Sequence, residues 1–113
     1  MSERAFQKAA VEYLTYSVRP YGGVVVVIPA GDRQQTRAPG YVSGEPDVFC
    51  IVRGHTYAFE LKAPKGRVKP HQKARHEQWV NAGAVVFVSR SLTDMESAVT
   101  VIKHGLVPEA KAA

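Results

Sequence analysis

Pro46-Asp47-Val48-Phe49-Cys50-Ile51-Val52-Arg53-Gly54-His55-Thr56-Tyr57-Ala58-Phe59-Glu60-Leu61-Lys62 is the stretch on which the fold turns. Two mainly apolar runs, residues 47–52 and 56–62, flank Arg53-Gly54-His55, which has the glycine and brevity of a hairpin turn. Side chains alternate along a strand, so Tyr57, Phe59 and Leu61 share one face while Ala58, Glu60 and Lys62 share the other. A two-residue turn at Arg53-Gly54 opposes Val52 to His55 and Asp47 to Glu60, placing their Cβ atoms about 4.5–5.5 Å apart. A turn at Gly54-His55 opposes Asp47 to Lys62 and keeps the shared face. A three-residue turn breaks the parity unless a bulge restores it. Carboxylates in such a half-buried place are costly unless paired, and a divalent cation pairs them well. An isolated Glu-x-Lys reads first as a surface ion pair of little worth.

Strand and helix patterns continue on both sides of this hairpin. Residues 2–17 read as a helix, with Ser2 as N-cap, Glu3 at the positive end of the dipole and Arg19-Pro20 closing the segment. Phe6, Ala10, Tyr13, Leu14 and Ser17 form its inward stripe, with Glu3 inside the stripe and Glu12 on the opposite side. The β-branched residues 24–28 read as a buried strand. Residues 30–45 read as a long loop containing Arg33, Arg37 and Tyr41. After Lys62, residues 63–70 form a basic loop, and a helix runs over 71–82, with Pro70 at or just before its first turn, ending at Gly83. Ala74, Gln78 or Trp79, and Ala82 are its expected buried face. Residues 84–89 read as an apolar strand at the centre of the sheet. A last helix begins at Ser91-Leu92-Thr93-Asp94 and ends near Lys103. The order is α-β-β-β-α-β-α, a mixed α/β domain over residues 1–105, with residues 106–113 as a tail.

The chain has 113 residues, 45% hydrophobic and 22% charged, as expected for one soluble domain. No apolar run approaches the roughly 20 residues of a membrane helix, and no signal peptide is expected, because Glu3 and Gln7 interrupt the start. The single cysteine, Cys50, excludes a disulfide framework, argues against a Cys/His zinc site and suits a reducing, cytoplasmic setting. A formal charge of +5 favours a polyanionic partner. Lys62, Lys65, Arg67, Lys69, Lys73 and Arg75 follow one another without an intervening acid, directly after the Glu60 strand. A solvated loop is the plain reading; a track for a phosphate backbone is the sharper one.

Phosphodiester hydrolysis needs an activated water and neutralisation of charge on the phosphorus centre, which a metal held by hard oxygen ligands supplies. Mg²⁺ binds through one or two carboxylates while keeping waters. Asp47 and Glu60 meet that need, with the backbone carbonyl of Leu61 as a further ligand and Glu3 as a direct or water-mediated one. Lys62, on the face of Glu60, is placed to hold the attacking water. The histidines read as turn, surface or capping residues, with His71 the exception because it adjoins Gln72. Trp79 reads as core or as part of a subunit contact.

Pro46-Asp47 followed by Glu60-x-Lys62 in this order of elements resembles the PD-(D/E)xK nuclease superfamily, whose restriction-endonuclease-like core is αβββαβ. Glu3 with Gln7, Gly44-x-Pro46-Asp47, Glu60-x-Lys62-Ala63-Pro64, the basic turn leading to Gln72, and Gly83-Ala84 before the last strand narrow the resemblance to the VRR-NUC group of small standalone phage or bacterial type. It spans about residues 2–100. It implies a Mg²⁺- or Mn²⁺-dependent DNA endonuclease preferring Holliday junctions, flaps or other branched DNA, acting as a homodimer in a bacterial or phage-infected cell. It also implies Glu3 as the helix acid, Asp47 and Glu60 as metal ligands, Lys62 as the catalytic lysine and Gln72 as a site-supporting residue. The motif does not separate Glu3 from Glu12; the helical face favours Glu3. The basic turn departs from the group, so Lys65, Arg67, Lys69 and Lys73, with Arg33 and Arg37, have only generic phosphate-contact roles. The competing readings are a branched-DNA-binding module without catalysis and a sequence-specific restriction enzyme.

Overall fold

The computed structural model describes residues 1–29, 40 and 42–106. Helix α1 (Glu3–Val18) starts at Ser2, whose side chain accepts the Ala5 N–H, and passes through a 3₁₀ turn, Arg19–Tyr21. Strands β1 (Val24–Val27), β2 (Val48–Val52), β3 (His55–Leu61) and β4 (Val85–Ser89) lie in that order in one mixed sheet. β1 and β2 pair antiparallel, as do β2 and β3, whereas β4 runs parallel to β3. Helix α2 (Pro70–Asn81) makes the crossover from β3 to β4, and α3 (Leu92–Leu106) follows. The architecture is the α/β arrangement expected: a four-stranded mixed sheet flanked by three helices.

The core lies between the sheet and the pair α1 and α3. Phe6, Ala10, Leu14 and Val18 meet Val48, Cys50, Val52, Tyr57, Phe59 and Leu61, with Met95, Val99 and Ile102 closing from α3. The face of Tyr57, Phe59 and Leu61 is thus the core face, and Glu60 points to the side covered by α2. Phe59 also stacks on Phe87 of β4 with ring centroids 5.1 Å apart. No helix among the described residues is long and apolar enough to cross a membrane.

Four local expectations are corrected. Residues 24–28 are not a buried strand: β1 is the sheet edge, with Val24, Val26 and Val27 exposed. β4 is not central but the opposite edge, and its apolar run reflects helices packed near both of its faces rather than two flanking strands. α3 continues through Gly105 because Leu106 is buried against the core, so it outlasts the expected end near Lys103. Finally, Ala74, Gln78 and Ala82 are exposed; the fully buried residue of α2 is His76.

The hairpin turn is the two-residue form. Val52 opposes His55, and Arg53 and Gly54 take φ of 49° and 86°, both positive as a type I′ turn requires. Gly44 controls how the strand entering β2 meets α2. Its φ is 91°, and a Cβ there would lie 2.8 Å from the His71 carbonyl oxygen and 3.1 Å from the Gln72 Cα. Both obstacles are backbone at the start of α2, so neither can rotate away. Gly44→Ala is expected to cost at least about 2 kcal/mol in urea unfolding. Unchanged stability would mean that the strand and helix do not pack this closely.

Candidate active site

Asp47, Glu60 and Lys62 converge where β2 begins and β3 ends. The cross-strand ladder runs regularly to Val48 opposite Phe59. The Asp47 N–H then also donates to the Phe59 carbonyl, at 2.9 Å. Two residues of one strand thus address one of the other, the count that defines a bulge. The simple opposition of Asp47 to Glu60 is replaced by a tighter arrangement. The Asp47 carboxylate takes the place of backbone, its Oδ2 accepting the Leu61 N–H at 2.7 Å. Glu60 is only 3% exposed, and Lys62 Nζ lies 3.6 Å from its Oε2. The Lys62 N–H donates to the Ser89 carbonyl, so β4 holds the lysine backbone in place.

Helix α2 supports this cluster with a polar stripe. Gln72, Arg75, His76 and Trp79 recur at helical spacing i, i+3, i+4 and i+7, on one face. Gln72 Oε1 accepts the Lys69 N–H at 2.8 Å, reaching back to cap the helix as an N3 glutamine does. Its Nε2 donates to Glu60 Oε2 at 3.4 Å. His76 Nε2 lies 3.0 Å from Glu60 Oε1, so the two residues one turn apart each hold one oxygen of the same carboxyl group. Arg75 and Trp79 grip Glu45. The guanidinium donates to Oε1 at 2.7 Å and Oε2 at 3.1 Å, and the indole N–H donates to Oε1 at 2.9 Å. Trp79 also meets Phe49 edge-on at 5.4 Å.

Electrostatics separate the two acids on α2's side of the sheet. Arg75 holds the Glu45 carboxyl below its ordinary value. Burial pushes the Glu60 carboxyl up to about 7, the Asp47 charge adds to the shift, and Lys62 opposes it. Asp47 is raised as well, by burial first; the Leu61 N–H, Glu60 and Lys62 oppose, and Glu3 adds its repulsion. Burial lowers the His76 imidazole. The 3.0 Å contact of His76 with Glu60 has ion-pair geometry, yet both shifts favour neutral forms. Direct burial of both groups makes a hydrogen bond the better description than an ion pair.

The structure therefore brings together Asp47, Glu60, Leu61, Lys62 and Gln72. Glu3 is exposed at the tip of α1, not buried in the helix stripe, but its charge reaches Asp47. It lines a cleft of about 370 Å³ together with Phe6, Ala63, Pro64 and Arg90. Arg67, Lys69 and Lys73 line a second cleft; Lys65 lies in the preceding turn and does not line it. Arg33, Arg37 and Tyr41 lie outside the described residues. His71 is exposed, and His76, not His71, is the histidine that touches the cluster. Sequence reasoning missed Glu45, Arg75, His76 and Arg90. The signal for Arg75 and His76 was the stripe at 72, 75, 76 and 79, invisible to a search for apolar residues.

Among the described residues, no three His, Cys, Asp or Glu side chains gather as a metal-holding group. Asp47 and Glu60 nevertheless suit a cation that retains its waters, since both are hard oxygen donors whose charged forms burial disfavours and a divalent charge would favour.

A pH effect on stability follows from the buried carboxyl group. Folded Glu60 holds its proton more tightly than the unfolded chain does, whose carboxyl has the ordinary value of 4.5. Its contribution is complete below that value and is lost as pH rises through about 7. His76 has the opposite sign and weakens the fold only as pH falls below 6.5. The melting temperature in chelator is therefore expected to fall between pH 6.5 and roughly pH 8, with Glu60→Gln flattening the fall. A flat wild-type profile would refute the raised carboxyl.

No protein-family model matches the sequence, and no curated protein matches it either. Solved structures do. A "VRR_NUC domain" superposes with a TM-score of 0.61 at 26% identity, covering 82% of this chain and 92% of its own. A "VRR_NUC domain protein" superposes with a TM-score of 0.59 at 19% identity over 91% of this chain and 86% of its own, a likeness of fold alone. With its mixed sheet, its hairpin and this coverage, the chain shares the fold of the VRR_NUC domains.

Proposed function

We propose that this chain is a divalent-metal-dependent DNA endonuclease that hydrolyses phosphodiester bonds in branched DNA. The observation that carries the reading is the meeting of Asp47, Glu60 and Lys62 at one end of the sheet, with Lys62 3.6 Å from Glu60 and a basic loop starting at once. Asp47, Glu60 and the Leu61 carbonyl would hold Mg²⁺ or Mn²⁺, which when bound supplies Lewis acidity toward the phosphate and a more acidic water. Gln72 and His76 fix the orientation of Glu60, and the Leu61 N–H fixes Asp47, so the ligands need little reordering. Lys62 offsets charge on the scissile phosphate and orients the attacking water. Glu3 adds a water-mediated contact beside Asp47. Lys65, Arg67, Lys69 and Lys73, with Arg33 and Arg37, hold the phosphate backbone without reading sequence. The small domain leaves little room for elements that read bases, which favours recognition of DNA shape.

The exposed valines of β1, together with Ile51, support a homodimer that presents two such sites to a junction. Burial pushes the Cys50 thiol up to about 11, keeping it protonated and inert, in keeping with a reducing cytoplasm. One observation favours a non-catalytic DNA-binding module instead: among the described residues, no third His, Cys, Asp or Glu joins the Asp47–Glu60 pair in a metal-holding group.

Lys62→Ala separates the readings. On labelled junction, flap, nick and plain duplex substrates with Mg²⁺ or Mn²⁺, cleavage is expected to fall by about 10²-fold or more, with binding preserved within a few-fold. Wild type that binds these DNAs but cuts none with either metal would establish the binding module.

A further inference from the structure

Arg90, just after β4, joins two parts of the molecule that the chemistry above does not connect. Its Nε and one terminal nitrogen, Nη2, donate to the Gly66 carbonyl at 3.2 and 3.1 Å. Its own backbone N–H donates to Asp94 Oδ2 at 2.8 Å, at the start of α3. Gly66 closes the turn after Lys62, its N–H donating to the Ala63 carbonyl at 2.8 Å. A side chain on Gly66 would press on the Lys62 Cβ at 3.3 Å. The basic loop is therefore stapled at its bend from β4, while its ends at Lys62 and Gln72 both touch Glu60.

Beside this staple lies a cleft of about 520 Å³ lined by Arg67, Val68, Lys69, Pro70, Lys73 and Arg90. Four of the six are cationic and none is acidic. Arg67, Lys69 and Lys73 are exposed and must be ordered by whatever they bind, whereas Arg90 is half-buried and already held. A guanidinium has five N–H donors. Two are committed to Gly66, which leaves three on a fixed planar group. Phosphate suits such a donor, and preorganisation lowers the entropic cost of binding it.

We propose that this cleft binds a backbone phosphate of DNA other than the scissile one, with Arg90 as its fixed donor and Arg67, Lys69 and Lys73 as mobile ones. The proposal rests on the DNA-directed reading above but not on cleavage. Because the loop leaves from Lys62 and returns at Gln72, a phosphate seated here sets the position of the backbone relative to the Asp47–Glu60 pair.

The test is binding in chelator, in a Lys62→Ala background, with fluorescein-labelled flapped duplex DNA; single-stranded DNA, plain duplex DNA and duplex RNA are separate arms. Arg90→Gln is expected to weaken flapped-duplex binding roughly tenfold at low salt and to reduce the slope of log K against log salt by about one. Arg67→Gln, which breaks no internal contact of the described residues, should reduce the slope likewise, while Arg90→Lys should regain the slope but only part of the affinity. Melting curves accompany each variant. Wild-type affinity and slope in both Arg90→Gln and Arg67→Gln would overturn the proposal. So would loss in Arg90→Gln with a lowered melting temperature while Arg67→Gln is unaffected, which would make Arg90 a strut. Equal Arg90-dependent binding of duplex RNA would overturn the assignment to DNA. If wild type never cuts but the slopes change as expected, the nuclease reading fails and the phosphate site stands.

Discussion

The carboxylate of Asp47 takes the position that the β2 backbone would otherwise occupy opposite Leu61, and the candidate site is built around that substitution. A strand end needs partners for its peptide groups. Here the Leu61 N–H is satisfied by an acid side chain, which commits that acid to the neighbourhood of Glu60. The bulge at Asp47 is what brings this about: the strand shifts by one residue, and a carboxylate rather than a carbonyl enters the ladder. Structural satisfaction of a peptide group and assembly of the acidic pair are one event.

That pair is expensive, and the surrounding structure concentrates its compensation in α2. A helix covering a sheet usually presents apolar side chains; α2 presents Gln72, Arg75, His76 and Trp79 instead. Each has a defined hydrogen-bond partner, Glu60 or Glu45, so the packing is specific in orientation as apolar contacts are not. Gly44 lets this interface close to backbone contact. The division of labour is clear. Arg75 and Trp79, through Glu45, fix where α2 sits; Gln72 and His76 then address the raised carboxyl group of Glu60. The apolar energy of folding comes from the other face, under α1 and α3.

The loop between β3 and α2 inherits its shape from the same elements. It begins at a lysine paired with Glu60, bends at a glycine held by Arg90, and ends at a glutamine that returns to Glu60. A basic segment of this length would ordinarily be a solvated strap. Anchored at three points, its Arg67 and Lys69 instead border one cleft with Lys73 and Arg90.

Much of this was legible in the chain because strands and helices impose fixed periods. Alternation over residues 56–62 put Glu60 and Lys62 on one face, and Arg53-Gly54-His55 marked a tight turn, whose two-residue form at Arg53-Gly54 only the structure decided. Those local constraints determined the hairpin and which residues share each of its faces. What sequence could not determine was which strands form the edges, because apolar β1 and β4 look alike whether strands or helices cover them. Nor could it reveal the bulge, since that depends on the geometry of β2 against β3. His76, Glu45 and Arg90 acquired their roles only through contacts 16 to 34 residues away along the chain, or 24 in the case of Arg90. Local periodicity carries no information on such pairings; only the closing of α2 and β4 onto the hairpin decides them.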